Sequence, residues 1–261
     1  MSKKKLFVVS DIHSHFSIFK EELEKMGFDK DNENHYLVVC GDAFDRGPES
    51  EELFHFLMSL ERVILVKGNH DILLEECCMR GFPYSHDKHN GTTKTIQDIS
   101  KIYSAYDFAK ACDITHNKLA RYRELLVNYF ETQNYIFVHS WIPTHKKAVH
   151  NEASKWVPLT TNEYMEDWRN ANDVEWEDAM WGNPFKMAEE DLNKTGKTIV
   201  FGHWHCSTGH KMLGNCKDEF DNYAIWEPCY FKNTIGIDRC TAYTKQCNVL
   251  VIEDEFLEDA E

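Results

Sequence analysis

Five times along the chain a short apolar run ends abruptly in polar residues: LFVVS before Asp11, LVVC before Gly41, VILV before Lys67, YIFV before His139 and TIVF before Gly202. Runs this short and this apolar read as strands buried on both faces. Between the first three, His15 to Met26 places Phe16, Phe19, Leu23 and Met26 on one helical face. Glu49 to Leu60 does the same with Leu53, Phe56, Leu57 and Leu60. Strand, polar loop, helix, strand is the grammar of an α/β fold, in which ligands bind beyond the carboxyl ends of the strands. Five polar loops can therefore converge on one site.

Two longer intervals interrupt the pattern. From about 72 to 133 the chain reads as a mostly helical insertion. One apolar stripe there is Ile96, Ile99, Ile102, Tyr103 and Tyr106, and another is Leu119, Tyr122, Leu125, Leu126 and Tyr129; packing on the core accounts for both. From about 142 to 196 the sequence is rich in Trp, Glu and Asn, including Trp156, Trp168, Trp176 and Trp181, and reads as a cap beside the site. Alternation at Tyr223 to Trp226, Thr234 to Ile237 and Asn248 to Ile252 predicts a closing antiparallel sheet within about 222–252. With no repeat and no Pro/Gly linker, residues 1–261 are expected to form a single domain.

Charge narrows the partners. With 44 acidic against 29 basic residues the formal net charge is -15, which works against a broad grip on a long nucleic acid. A small or locally bound phosphate substrate fits better, with bound metal ions supplying positive charge. The apolar run after the N-terminal lysines is only Leu6 to Val9, so no signal peptide or membrane span is expected and the cytoplasm is the expected location. Nine cysteines without a CxxC pair read as reduced thiols, and the spacing of the last four does not match zinc ligand pairs.

The strand ends carry the chemistry. Asp11 and His13, two apart, can point to the same side, and a hard oxygen with an imidazole suits a first-row divalent ion. Alone, the pair is better read as a turn carboxylate beside a surface histidine. GDAFDRG is more specific: Gly41 frees the backbone, Asp42 offers a carboxylate able to bridge two metals, and Gly47 with Pro48 turns the chain into the next helix. Asp45 and Arg46 follow as a site pair or as a structural ion pair. In KGNHD, Asn69 offers an amide oxygen and His70 an imidazole, Asp71 serves as a helix cap or in the chemistry, and Lys67 meets phosphate or is merely solvated. His139 follows the fourth strand alone. His203 and His205, two apart after a strand and a glycine, are better placed for metal.

Taken in order, DIH, GDAFDRG, GNHD, VHS and GHWH resemble the motifs of the calcineurin-like metallophosphoesterase superfamily. The DRG ending is most similar to its phosphoprotein phosphatase branch, which includes bacterial and phage serine/threonine phosphatases. The resemblance implies an α/β fold, a four-layer αββα sandwich of two central mixed β-sheets flanked by helices. It implies that Asp11 and His13 hold a first divalent ion, that Asp42 bridges, that Asn69, His139 and His203 hold a second, and that His205 completes the first shell. It further implies His70, paired with Asp45, as proton donor to the leaving oxygen, Arg46 as phosphoryl clamp, and a hydroxide shared by the ions as attacking group. Manganese is the metal the bacterial members imply, and the mixed nitrogen and oxygen shell also admits iron or zinc.

The sequence departs from the family pattern at the phosphate-holding rim. Lys67 and Asp71 stand where protein phosphatases usually carry Arg and Glu, and His139-Ser140-Trp141 replaces HAG. Trp181-Gly182-Asn183 stands for a Trp-x-Arg element, and Ile237-Asp238-Arg239-Cys240 for IDTG. The expected activity is phosphate monoester hydrolysis on a phosphoprotein or phosphopeptide, like a serine/threonine phosphatase. Diadenosine polyphosphate hydrolysis or nucleotide phosphodiester cleavage comes next. A non-catalytic metal-stabilised binding module is the rival of another class, and His70, Asp45 and Arg46 argue against it because a scaffold needs no proton donor.

Overall fold

The computed structural model describes residues 3–149 and 159–257, and in it all five apolar runs end at the loops expected of strands. Strands β1 (Lys4–Val9), β2 (His35–Cys40) and β3 (Val63–Val66) pair in parallel, linked by helices α1 (Phe16–Lys25) and α2 (Ser50–Met58). The insertion supplies α3 (Asn69–Arg80), α4 (Ser85–Asn90), α5 (Thr92–Ser100), α6 (Phe108–Lys118) and α7 (Ala120–Leu125). Next come β4 (Leu126–Val127), β5 (Phe130–Glu131), β6 (Tyr135–Phe137) and the hairpin strands β7 (Thr144–Val149) and β8 (Leu159–Tyr164). Helices α8 (Asp173–Met180) and α9 (Pro184–Glu189) lead to β9 (Thr198–Phe201) and α10 (Cys206–Met212). Strands β10 (Cys229–Phe231) and β11 (Thr234–Gly236), helix α11 (Thr241–Thr244) and β12 (Leu250–Asp254) follow.

Two five-stranded mixed sheets result, in the orders β12-β1-β2-β3-β4 and β10-β11-β9-β6-β5. Period-two alternation sorts their side chains into layers. In β1, Leu6 and Val8 join Phe137, Val200, Ile235 and Ile252 between the sheets. Phe7 and Val9 point the other way, onto Phe19, Leu23, Leu53, Leu57 and Ile99 of the first helical layer. Ile136, Val138, Ile199 and Phe201 of the second sheet pack with Trp168, Trp176, Met180 and Phe185 on its outer face. Each such buried side chain contributes roughly 1.5–3 kcal/mol. Helix, sheet, sheet, helix is the four-layer order the resemblance implied. No helix among the described residues is long and apolar enough to cross a membrane.

Some expected elements change. The stripe from Leu119 to Tyr129 is not one helix: α7 stops at Leu125, and Leu126 and Val127 pair with Leu65 and Val66 because the edge of β3 is open to them. Tyr129 instead stacks on Trp176 at 5.4 Å. Ile96 and Ile99 are buried, but α5 ends at a left-handed Lys101, so Tyr103 and Tyr106 are exposed. Tyr223 to Trp226 forms no strand, and among the described residues there is no separate closing sheet, since β10 and β11 join the second sheet while β12 pairs antiparallel with β1. Trp156 lies outside the described residues, and Trp168 and Trp176 are core.

Candidate functional site

The carboxyl ends of parallel strands from both sheets open on one cleft of about 190 Å³. β1 delivers Asp11 and His13, β2 delivers Asp42, Asp45 and Arg46, and the start of α3 after β3 delivers Asn69 and His70. His139 follows β6, His203 and His205 follow β9, and Asp238 follows β11. The loops are bent to aim these groups: Asp11, His13, Asp42, Asp45, Arg46 and His203 all have left-handed φ between +49° and +75°. Such conformations cost non-glycine residues on the order of 1–3 kcal/mol each, so surrounding contacts must hold them. Backbone bonds do part of this, from His13 N–H to Asp42 O at 3.1 Å and from Gly47 N–H to His13 O at 3.0 Å. Gly41, itself at φ +81°, admits the His139 ring, which a Cβ there would strike.

The histidines are anchored from behind. His13 Nδ1 lies 2.9 Å from the Phe44 carbonyl oxygen and His139 Nδ1 3.0 Å from that of Cys40, so each donates there and turns its Nε2 inward. His205 Nδ1 lies 2.7 Å from the Glu219 carboxylate. Anchoring through one ring nitrogen is how a histidine is oriented to offer the other to a metal. His13 Nε2 faces Asp11 Oδ1 at 4.0 Å and Asp42 Oδ2 at 3.9 Å. His139 Nε2 faces Asn69 Oδ1 at 2.8 Å and His203 Nδ1 at 3.2 Å. Donor atoms gather in two groups, one of His13, Asp42 and His70 and one of Asp42, His139 and His203, with Asp42 common to both. Asp11 and His205 stand at the margins, Asp11 accepting from His203 N–H at 2.9 Å and His205 Nε2 lying 3.9 Å from Asp238.

The donor set fits a pair of divalent cations. Asp11, Asp42 and Asp238 are buried carboxylates in one cleft whose lining includes one arginine, Arg46, and, among the described residues, no lysine. Burial pushes the Asp11 carboxyl up, and burial together with Asp11 pushes Asp238 far up. Burial works upward on Asp42 too, but the imidazoles of His139, His70, His13 and His203 outweigh it and hold it down. Burial keeps His13 neutral and, with His139, lowers His203 to about 3; the neutral imidazole is the form that ligates metal. Clustered buried carboxylates without enough countercharge are what bound cations relieve.

His70 groups with His13 and Asp42 by position as readily as a ligand does. Two neighbours set it apart. Its Nδ1 lies 2.8 Å from Oδ2 of the fully buried Asp45, and its Nε2 lies 3.4 Å from Arg46 Nη2 at the cleft wall. Burial acts to keep the ring neutral, yet Asp42 and the hydrogen-bonded Asp45 prevail and raise its pKa above the ordinary imidazole value.

Several rim candidates point elsewhere. Asp71 is a helix residue that caps: its carboxylate accepts from Gly68 N–H at 2.8 Å and from Tyr122 Oη at 2.9 Å, and burial raises it to about 6. Lys67 lines a separate cavity with Glu75, Tyr122 and Arg123. Asn183 caps α9, and Ser140 donates to the Gly182 carbonyl at 3.0 Å. Arg239 turns to Asn248 at 2.9 Å and to Glu227 and Gln246 instead of the cleft. Lining or supporting residues that received no role in the sequence include Asp238, Trp181, Leu73, Asn90 and Glu219. Asp238 and Trp181 carried a signal, as members of the altered IDTG and Trp-x-Arg elements.

The match to known proteins has the same reach. Residues 4–207 match the family model described as calcineurin-like phosphoesterase, and the chain belongs to that family. A symmetrical bis(5'-nucleosyl)-tetraphosphatase of Pseudomonas fluorescens (strain SBW25) is 26% identical over 92% of this chain and 94% of its own length. The enzyme of that name from Buchnera aphidicola subsp. Acyrthosiphon pisum (strain Tuc7) is 44% identical over 69 residues, 26% of this chain and 24% of that protein. The chain thus spans about a quarter of the length of such higher-identity relatives. Among solved structures, a protein serine/threonine phosphatase from Saccharomyces cerevisiae aligns with a TM-score of 0.48 at 14% identity, covering 98% of this chain and 81% of the other.

Proposed function

We propose that the chain hydrolyses phosphate esters at a pair of divalent ions held by Asp11, His13, Asp42, Asn69, His139, His203 and His205, with His70 protonating the leaving oxygen. The observation that carries this reading is the His70–Asp45 pair at 2.8 Å, set against Arg46 and opening on a cleft of donors. When bound, the two ions supply Lewis acidity at the phosphoryl group and a water nucleophile of lowered pKa. Arg46, exposed in the cleft beside His70, is the side chain placed to clasp the equatorial oxygens. Asp45 accepts from Nδ1 and so leaves Nε2 of the imidazolium to donate. A positioned general acid is typically worth about a hundredfold to ten-thousandfold. Manganese is the proposed metal, and iron or zinc suits the same donors. Nine unpaired thiols support a reducing compartment such as the cytoplasm.

The first substrate class is the phosphomonoester, in the manner of a serine/threonine phosphatase, supported by the DRG and GNH motifs. A dinucleoside polyphosphate is the second reading, favoured by aromatic surfaces on two sides of the cleft. Trp181, half exposed, stands edge-on to His203, and Phe220 and Trp226 pack around His205. Such rings suit nucleobases, and the relatives' names point the same way. A panel of phosphopeptide, alkyl phosphomonoester, diadenosine tetraphosphate, cyclic nucleotide and bis-aryl phosphate with manganese separates them. Fastest turnover is expected on monoesters; preference for diadenosine tetraphosphate would put the second reading first, and no hydrolysis of any member would defeat both.

A further inference from the structure

The corner at Asp45 and Arg46, where two consecutive non-glycine residues are left-handed, is held in part by the inserted helices α4 and α5. Arg46 N–H donates to the Asn90 carbonyl at 3.2 Å, and Asp45 N–H donates to Thr95 Oγ1 at 3.0 Å. Gly91, at φ +88°, lies so close that a Cβ would strike the Arg46 backbone. Thr92 is fully buried at the first turn of α5. Gly91 is the N-cap of α5, and the Thr92 hydroxyl one position on donates across 47 positions to Asp45 Oδ2 at 2.6 Å. Among the described residues, Thr92 and His70 are the side chains that bond this carboxylate, and Asp45 Oδ1 has no partner. Without Thr92, the His70 hydrogen bond is the side-chain contact left to set the rotation of the carboxylate about its last bond.

We infer that Thr92 is a positioning residue for the proton donor: its hydroxyl sets the Asp45 carboxylate so that Oδ2 meets His70 Nδ1 and His70 Nε2 faces the cleft. The inference rests on the role proposed for His70 and gives the helical insertion a part in the reaction. A buried threonine that only stabilised α5 would have no preference among substrates. Loss of the hydroxyl should instead be felt where the leaving oxygen most needs a proton.

The test uses the manganese-loaded full chain with Thr92→Val, Thr92→Ser and His70→Asn, each assayed on an alkyl phosphomonoester and on p-nitrophenyl phosphate. Thr92→Val is expected to lower kcat on the alkyl ester about tenfold, a fraction of a general acid's worth, with KM nearly unchanged and the aryl ester much less affected. Thr92→Ser should restore the alkyl rate. Proton NMR of the His70 Nδ1–H, recorded on the diamagnetic zinc-loaded chain, should show faster exchange in Thr92→Val and wild-type behaviour in Thr92→Ser. An equal loss on both substrates, or no loss on the alkyl ester while His70→Asn is impaired, would overturn the inference and leave the His70 reading standing. Full alkyl activity in His70→Asn would overturn both.

Discussion

His139 Nε2 and Asn69 Oδ1 stand 2.8 Å apart at the head of the cleft, while the Nδ1 edge of the same ring lies 3.0 Å from the Cys40 carbonyl oxygen. His203 Nδ1 lies 3.2 Å from the same His139 nitrogen, so three atoms able to ligate a metal converge on one point. A cation bound there would draw on all three. Manganese added to chelator-treated protein is therefore expected to raise Tm, by an increment of about 2.7 kcal/mol at a hundredfold excess over Kd. Asp42→Asn should abolish the rise, since Asp42 belongs to both donor groups. Differential scanning calorimetry reads this, and a wild-type Tm indifferent to metal would count decisively against the site.

His70→Asn should separate binding from turnover. The manganese-dependent rise in Tm should survive, because the remaining donors are untouched, while kcat on an alkyl phosphomonoester should fall by about a hundredfold to ten-thousandfold. A phenolate leaving group, which departs without help, should suffer far less. Loss of the thermal response in this variant would recast His70 as a metal ligand.

Glu131 predicts an acid-sensitive joint away from the cleft. Burial works upward on its carboxyl, but Arg169, at 2.6 and 2.8 Å, and Lys197, at 2.8 Å, prevail and hold its pKa below the ordinary value. A depressed carboxyl means the unfolded chain takes up the proton first. Its contribution is thus full above the unfolded value of about 4.3 and disappears as pH falls through the lower folded value. The difference in Tm between wild type and Glu131→Gln, measured in chelator from pH 6 downward, should be constant at first and then shrink below about pH 4.3. A difference that grows as pH falls would show the sign to be wrong.

The fold was legible where period and burial agreed. Leu6 to Val9 and Ile199 to Phe201 are apolar on both faces because both sheets are covered, and they read as strands at once. Leu126 and Val127 did not, since a two-residue strand continues the helical stripe before it and only the open edge of β3 makes it a strand. The donors announced themselves because they follow strands in short motifs. Asp238 was half visible, while Glu219, Asn90 and Thr92 were not, because their relation to the cleft arises from contacts across long stretches of chain.

The cleft straddles two sheets. Asp11, His13, Asp42 and Asn69 belong to one, His139, His203 and His205 to the other, and the apolar layer of Leu6, Val8, Val38, Phe137 and Val200 lies between their strands. The thickness of that layer is therefore the ruler for the gap between the two halves of the donor set. A methyl group gained or lost there, buried in the seam and far from any phosphate, would retune the cleft as surely as changing a histidine.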